Sequence, residues 1–290
     1  MGWTITALSA FADEAGGSSD AQIEALVRAG LTEIDLRSID GHNICDLPIE
    51  KAETVRGKLD AAGIQVCMFG SPIGKIDIAD DFQPDLDRLE HLGHLKHVFG
   101  APAVRIFSYY NARNAPYDQW RRASLDRLQR LRDRAGQLGL VLYHENERHI
   151  FGDCCPEIEI LAENVRDGNA FRLIFDFDNY NQSGDDVWEN WRRLQNCTDA
   201  FHLKDSDTEN RHVPVGQGNG RVREILADAY GRGWSGPMIV EPHLARSEAV
   251  AATGAHGTVH ESFASMTEAD SFHVAVEEAK RMIADIESRT

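Results

Sequence analysis

Two glutamates, an aspartate and a histidine each stand where a short apolar run gives way to polar residues: Glu145 in LVLYHENE, Asp176 in RLIFDFDN, His202 in DAFHLKD and Glu241 in PMIVEPH. Continuous apolar runs of this length read as strands buried on both faces, so each polar residue falls at a strand's end. If the strands are parallel neighbours, the four side chains converge on one mouth. Three carboxylates and one imidazole then make an oxygen-rich seat for a single divalent cation, and manganese, magnesium, cobalt and zinc are all compatible with it. A purely structural polar cluster is the competing reading, but burying three carboxylates together without a cation is costly. Asp178 shares a strand face with Asp176 if that strand continues, which leaves two candidates for the aspartate.

The elements that must position these residues alternate along the chain. ITALSA, EIDLR, IQVCMFG, AVRIFSY, LVLYHE, RLIFDF, DAFHLK and PMIVE read as strands, separated by amphipathic stretches such as DAQIEALVRAG and WRRASLDRLQRLRDRAGQLG. Eight βα units of roughly 30 residues predict one (β/α)8 barrel spanning residues 1–290, ahead of an open doubly wound sheet. In such barrels the loops after the strands form the active face. All four candidate ligands meet that condition.

Composition narrows the function. With 30 Lys+Arg against 47 Asp+Glu, the net charge of −17 argues against nucleic acid or anionic membranes as partners. The five scattered cysteines outline no disulfide framework, and MGWTITALSA has neither a basic leader nor a long apolar stretch, so a soluble cytoplasmic protein is expected.

HENE at 144–147, FDFDNYNQSG at 175–184, HLKD at 202–205, VEPH at 240–243 and SPIGK at 71–75 together make the chain resemble the xylose isomerase-like barrel superfamily of sugar and sugar phosphate isomerases and epimerases. The resemblance covers essentially the whole chain. It implies a metal held by Glu145, Asp176, His202 and Glu241, with Asp176 preferred over Asp178 because relatives commonly read FDPAN there. It also implies that Glu145 and Glu241 double as the acid/base pair, and that a homodimer is possible. Many relatives have a substrate-contacting histidine three residues after the strand-six aspartate. This chain has Asn179, which hydrogen-bonds a hydroxyl but cannot shuttle protons.

Moving a hydrogen between adjacent carbons of a hydroxy-carbonyl compound requires removal of a weakly acidic C–H proton and stabilisation of the enediolate, which suits a divalent cation flanked by carboxylates. The expected activity is isomerisation or epimerisation of a small sugar, sugar phosphate or related polyhydroxy carbonyl compound. Further polar residues near strand ends are candidates for substrate contact: His144, Glu147, Asn179, Lys204, His243, Arg105, Arg37 and Glu14. A lyase or dehydratase of the inosose or dehydroshikimate sort is the nearest alternative. An apurinic endonuclease would need a histidine-rich multi-zinc centre and a positive face, and a non-catalytic sugar-binding barrel would not need both glutamates.

Other motifs read more plainly. The histidines of HENERH are five apart, unsuited to a zincin helix, and GQGNG at 216–220 lacks the full dinucleotide fingerprint, leaving a turn or a substrate or phosphate loop. Residues 244–268, with His256, His260 and Phe263, form a long connection expected to close the site or make a dimer contact.

Overall fold

The computed structural model describes residues 2–245, 247, 250–251 and 258–289. Each of the eight apolar runs forms a strand: β1 (Thr4–Ala10), β2 (Glu33–Leu36), β3 (Gln65–Gly70), β4 (Ala103–Ile106), β5 (Val141–Glu145), β6 (Phe171–Asp176), β7 (Ala200–Leu203) and β8 (Ser235–Val240). They pair in parallel in the order β1-β8-β7-β6-β5-β4-β3-β2. Between β1 and β2 the described residues form no backbone ladder. Side chains tie this seam instead: the Leu8 N–H donates to Glu33 Oε2 at 2.8 Å, and Ser9 Oγ donates to Asp35 Oδ1 at 2.7 Å. The product is a nearly closed (β/α)8 barrel.

The connecting helices are α1 (Ser19–Arg28), α2 (Ile49–Ala61), α3 (Gln83–Phe99), α4 (Tyr117–Leu138), α5 (Cys155–Asn164), α6 (Phe177–Ser183), α7 (Val187–Leu194), α8 (Val222–Arg232) and α9 (Glu268–Ser288). Side-chain oxygens of Ser18, Asp186 and Thr267 accept hydrogen bonds from the first turns of α1, α7 and α9, supplying partners that a helix start otherwise lacks. Among the described residues no helix is long and apolar enough to cross a membrane, and the five cysteines are free.

Two cores result. Outward strand residues pack against the helices, whereas Phe11, Met68, Ala103, Tyr143, Ile174, Ala200 and Ile239 form a separate cluster inside the barrel. Fully burying side chains of this size contributes about 1.5–3 kcal/mol each for the larger ones. Strand side chains alternate with a period of two, so one more step along each chain lifts the next inward residue above this apolar floor. From Ala103, Tyr143, Ile174, Ala200 and Ile239 the step leads to Arg105, Glu145, Asp176, His202 and Glu241, all buried. The floor therefore sets the height of the functional layer.

The SPIGK loop is held against the chain beyond β4, where Phe107 N–H donates to the Ile73 carbonyl at 2.8 Å and Tyr109 N–H to the Gly74 carbonyl at 2.7 Å. Gly74 has φ of +86°, and a Cβ there would lie 2.2 Å from the Phe107 carbonyl oxygen. We predict that Gly74→Ala destabilises the fold by on the order of 3 kcal/mol through strain and clash together. A shift in the urea midpoint measures it, and an unchanged midpoint contradicts it.

Candidate metal centre and substrate pocket

Glu145 ends β5, Asp176 ends β6, His202 lies in β7 and Glu241 follows β8, and one ligand atom from each lies within 4.8 Å of all the others. The register places Asp176 beside His202. His202 Nδ1 is 3.1 Å from Glu145 Oε1, 3.6 Å from Glu241 Oε2 and 3.8 Å from Asp176 Oδ2. Asp176 Oδ2 and both His202 ring nitrogens are buried without a hydrogen bond of good geometry, although Lys204 Nζ is 3.2 Å from the former. Oxygen and imidazole donors that converge while lacking partners fit a divalent cation. The ambiguity between Asp176 and Asp178 resolves locally. The strand does not continue: α6 begins at Phe177, capped by the Asp176 carboxylate at 2.8 Å from the Asn179 N–H, and this turns Asp178 away towards His212.

Cations surround the carboxylates. Arg105 Nη1 donates to Glu145 Oε2 at 2.7 Å, Lys204 Nζ donates to Glu241 Oε2 at 3.2 Å, and Arg37 Nη1 donates to Glu241 Oε1 at 3.2 Å. Burial opposes ionisation of Glu145, but His202 and Arg105 overcome it and hold the carboxyl well below its usual range. Lys204 and His243 do the same for Glu241 against its burial. At Asp176 burial prevails over Lys204, and its pKa rises. Burial would lower the His202 pKa, yet Glu145 and Glu241 push it up to about 10. The cluster thus holds protons when no cation competes for the same donors.

A pocket opens above this layer, lined by Glu145 and Glu241 together with Lys75, Arg105, Glu147, Arg148, Asn179, Gln182, Lys204, His212 and His243. Five residues expected near substrate therefore line it: Glu147, Asn179, Lys204, His243 and Arg105. His243 arrives by a turn, with φ of +48° and its N–H donating to Glu14 Oε2 at 2.6 Å, after β8 has ended. The Asn179 amide is already engaged, donating to Glu145 Oε1 at 3.3 Å and to the Asn146 carbonyl at 2.8 Å while accepting from Lys204 at 3.1 Å. It braces the centre.

Three expected contacts lie elsewhere. His144 alternates with Glu145 and so faces outward, stacked on Phe171 with Nε2 at 2.7 Å from Ser108 Oγ; its burial pushes its pKa down to about 3. Arg37 and Glu14 lie behind the pocket in one buried ion network, Arg37 gripping Asp13 at 2.8 and 2.9 Å and Glu14 at 3.1 Å. Glu14, Glu241 and His243 also cluster, but the Arg37 guanidinium bonds to both carboxylates and supplies the positive charge there.

His212, Arg148 and Gln182 were not among the sequence candidates. His212 sits on Arg211–Val213, which folds back antiparallel on Asp205–Ser206 and pairs with Thr258–Val259 of the long connection. No strand-end rule reaches such a residue. The connection's 252–257 stretch, with His256, lies outside the described residues. GQGNG is a turn folded around an internal carboxylate: Asp205 accepts the N–H groups of Gly216, Gly218 and Gly220 at 2.9–3.0 Å.

A parallel barrel with acidic and imidazole side chains gathered at the carboxyl ends of its strands defines the class of TIM barrels with a candidate metal site at the mouth. The chain belongs to the xylose isomerase-like TIM barrel family, whose model matches residues 23–283. Similar solved structures include the probable 3-DHS dehydratase AsbF of Bacillus anthracis, involved in petrobactin synthesis (15% identity, 97% of this chain and 99% of that one, TM-score 0.68). The 3-keto-D-glucoside 4-epimerase YcjR of E. coli is another (14% identity, 93% and 98%, TM-score 0.65), as is an IolI protein with a bound zinc atom (12% identity, 96% and 98%, TM-score 0.71). No curated protein sequence matches the chain.

Because His202 must give up its extra proton to ligate a cation, and its pKa without one is about 10, metal binding at neutral pH releases protons. Mn²⁺ affinity measured by calorimetry should therefore rise about tenfold per pH unit from pH 6 to 8. A flat profile counts against His202 as a ligand.

Proposed function

We propose that this protein is a divalent-metal-dependent isomerase or epimerase of a small polyhydroxy carbonyl compound. The observation that carries the reading is the pair Glu145 and Glu241, which approach His202 at 3.1 and 3.6 Å from strands separated by β6 and β7, and which both line the pocket. Glu145, Asp176, His202 and Glu241 would hold the cation, which when bound acts as a Lewis acid towards the carbonyl and neighbouring hydroxyl of the substrate.

The chain's own groups account for the proton transfers. Glu145 and Glu241 are kept ionised by Arg105 and Lys204, so either can accept a proton from substrate carbon and the other can return one. Lys204 lines the pocket and offers an ammonium to oxyanion character developing beside Glu241. Asn179 fixes both Glu145 and Lys204 and leaves proton transfer to the glutamates. The likeness to an epimerase supports this reading at the level of the fold.

Elimination of water is the second reading, supported at the level of the fold by the likeness to a dehydratase. His212 lines the pocket 3.2 Å from Asp178, and burial lowers its pKa, so its imidazole accepts a proton more readily than it donates one. The product decides between them: an isomer of unchanged mass, or a compound lighter by one water.

Incubating the metal-loaded protein in deuterated water with a panel of ketoses, aldoses and inososes should place deuterium on one carbon of the true substrate. Glu145→Gln and Glu241→Gln should each lower kcat at least ~100-fold. Unchanged turnover in either variant removes that glutamate from proton transfer.

A further inference from the structure

Four cationic side chains line the pocket, and three of them are matched to carboxylates. Arg105 pairs with Glu145 at 2.7 Å, Lys204 with Asp176 and Glu241 at 3.2 Å, and Lys75 with Glu147 at 2.9 Å. Arg148 is the fourth. Among the described residues its guanidinium has no hydrogen bond or ion pair, although it is half-buried in the turn just beyond β5. The nearest acid in sequence does not serve it: Glu147 Oε2 is taken by Lys75, and Glu147 Oε1 accepts the backbone N–H of Arg148 at 2.9 Å. Among the described residues Arg148 is thus the one pocket lysine or arginine with no carboxylate partner, in a chain whose carboxylates outnumber its cations.

The centre makes no call on Arg148, because Glu145, Asp176 and Glu241 are already faced by Arg105, Lys204 and Arg37. A neutral polyol would leave the Arg148 fork unmatched, whereas a carboxylate or phosphate oxyanion would answer it, since guanidinium donors match its geometry in pairs. Resting on the reading of this pocket as the substrate site, we propose that the substrate is an anion: a polyhydroxy carbonyl compound whose carboxylate or phosphate group is held by Arg148. The glycine-rich 216–220 turn is not an alternative anion seat, because the N–H groups of Gly216, Gly218 and Gly220 are given to Asp205 and those of Gln217 and Asn219 to backbone carbonyls.

The test is isothermal titration of Mn²⁺-loaded wild-type, Arg148→Ala and Arg148→Lys proteins with three six-carbon probes: D-glucitol, D-gluconate and D-glucitol 6-phosphate. In the wild type at least one anion should bind about tenfold or more tightly than D-glucitol, a preference typical of a charge-assisted hydrogen bond. Arg148→Ala should bring the two within about twofold, and Arg148→Lys should retain part of the difference. The anion that shows the effect tells carboxylate from phosphate. Equal binding of charged and neutral probes by the wild type, no measurable binding of either anion, or a preference that survives in Arg148→Ala overturns the proposal. A prior Mn²⁺ titration of the same samples tests the centre separately. Should the ion not bind, the metal reading fails, and the same comparison on the metal-free protein still decides whether Arg148 recognises the anion.

Discussion

Like-charge repulsion among three buried carboxylates is the constraint on which the rest of this barrel depends. Glu145, Asp176 and Glu241 are 0–3% exposed and all reach towards His202. Such an arrangement persists only if positive charge is supplied from fixed positions, because an isolated buried carboxylate neutralises itself rather than stay ionised. Arg105 supplies it from within β4, and Lys204 and Arg37 from the first residues after β7 and β2. Phe11 lies beneath, with Arg37 and Arg105 over its ring at 4.7 and 5.4 Å and His202 edge-on at 5.6 Å.

Around this centre, roles separate by depth. The apolar floor sets height, the inward layer gathers the donor atoms, and the loops beyond the strands line the pocket. Asn179 links the last two. Its amide bonds to Glu145, to the Asn146 carbonyl and to Lys204, so the residue that departs from the pattern of many relatives strengthens the scaffold of the centre.

The fold and the convergence of Glu145, Asp176, His202 and Glu241 were legible in the sequence because both follow from periodicity. A buried parallel strand is a continuous apolar run, and a polar residue closing it can only face the mouth or the helices. Alternation also explains the misplacement of His144: one position from Glu145, it had to face outward, where Ser108 and Phe171 receive it. Arg37 and Glu14 stand at the right height, yet they are consumed by Asp13, Glu241 and His243, partners remote in sequence. His212 was hidden for another reason. It depends on a fold-back of the chain after β7 that no regular period announces. Periodicity alone left Asp178 open and only the family resemblance favoured Asp176; the helix start at Phe177, which ends the strand, supplies the physical reason.

The turn around Asp205 has a consequence for how this barrel discriminates among ligands. Where glycine-rich backbone cradles an anion, recognition is written into chain geometry and changes only when the loop is rebuilt. Here the N–H groups of Gly216, Gly218 and Gly220 are committed to an internal carboxylate, and what lines the mouth is a set of individual side chains. A side chain at that rim can be exchanged without rebuilding the strands or the apolar floor beneath it.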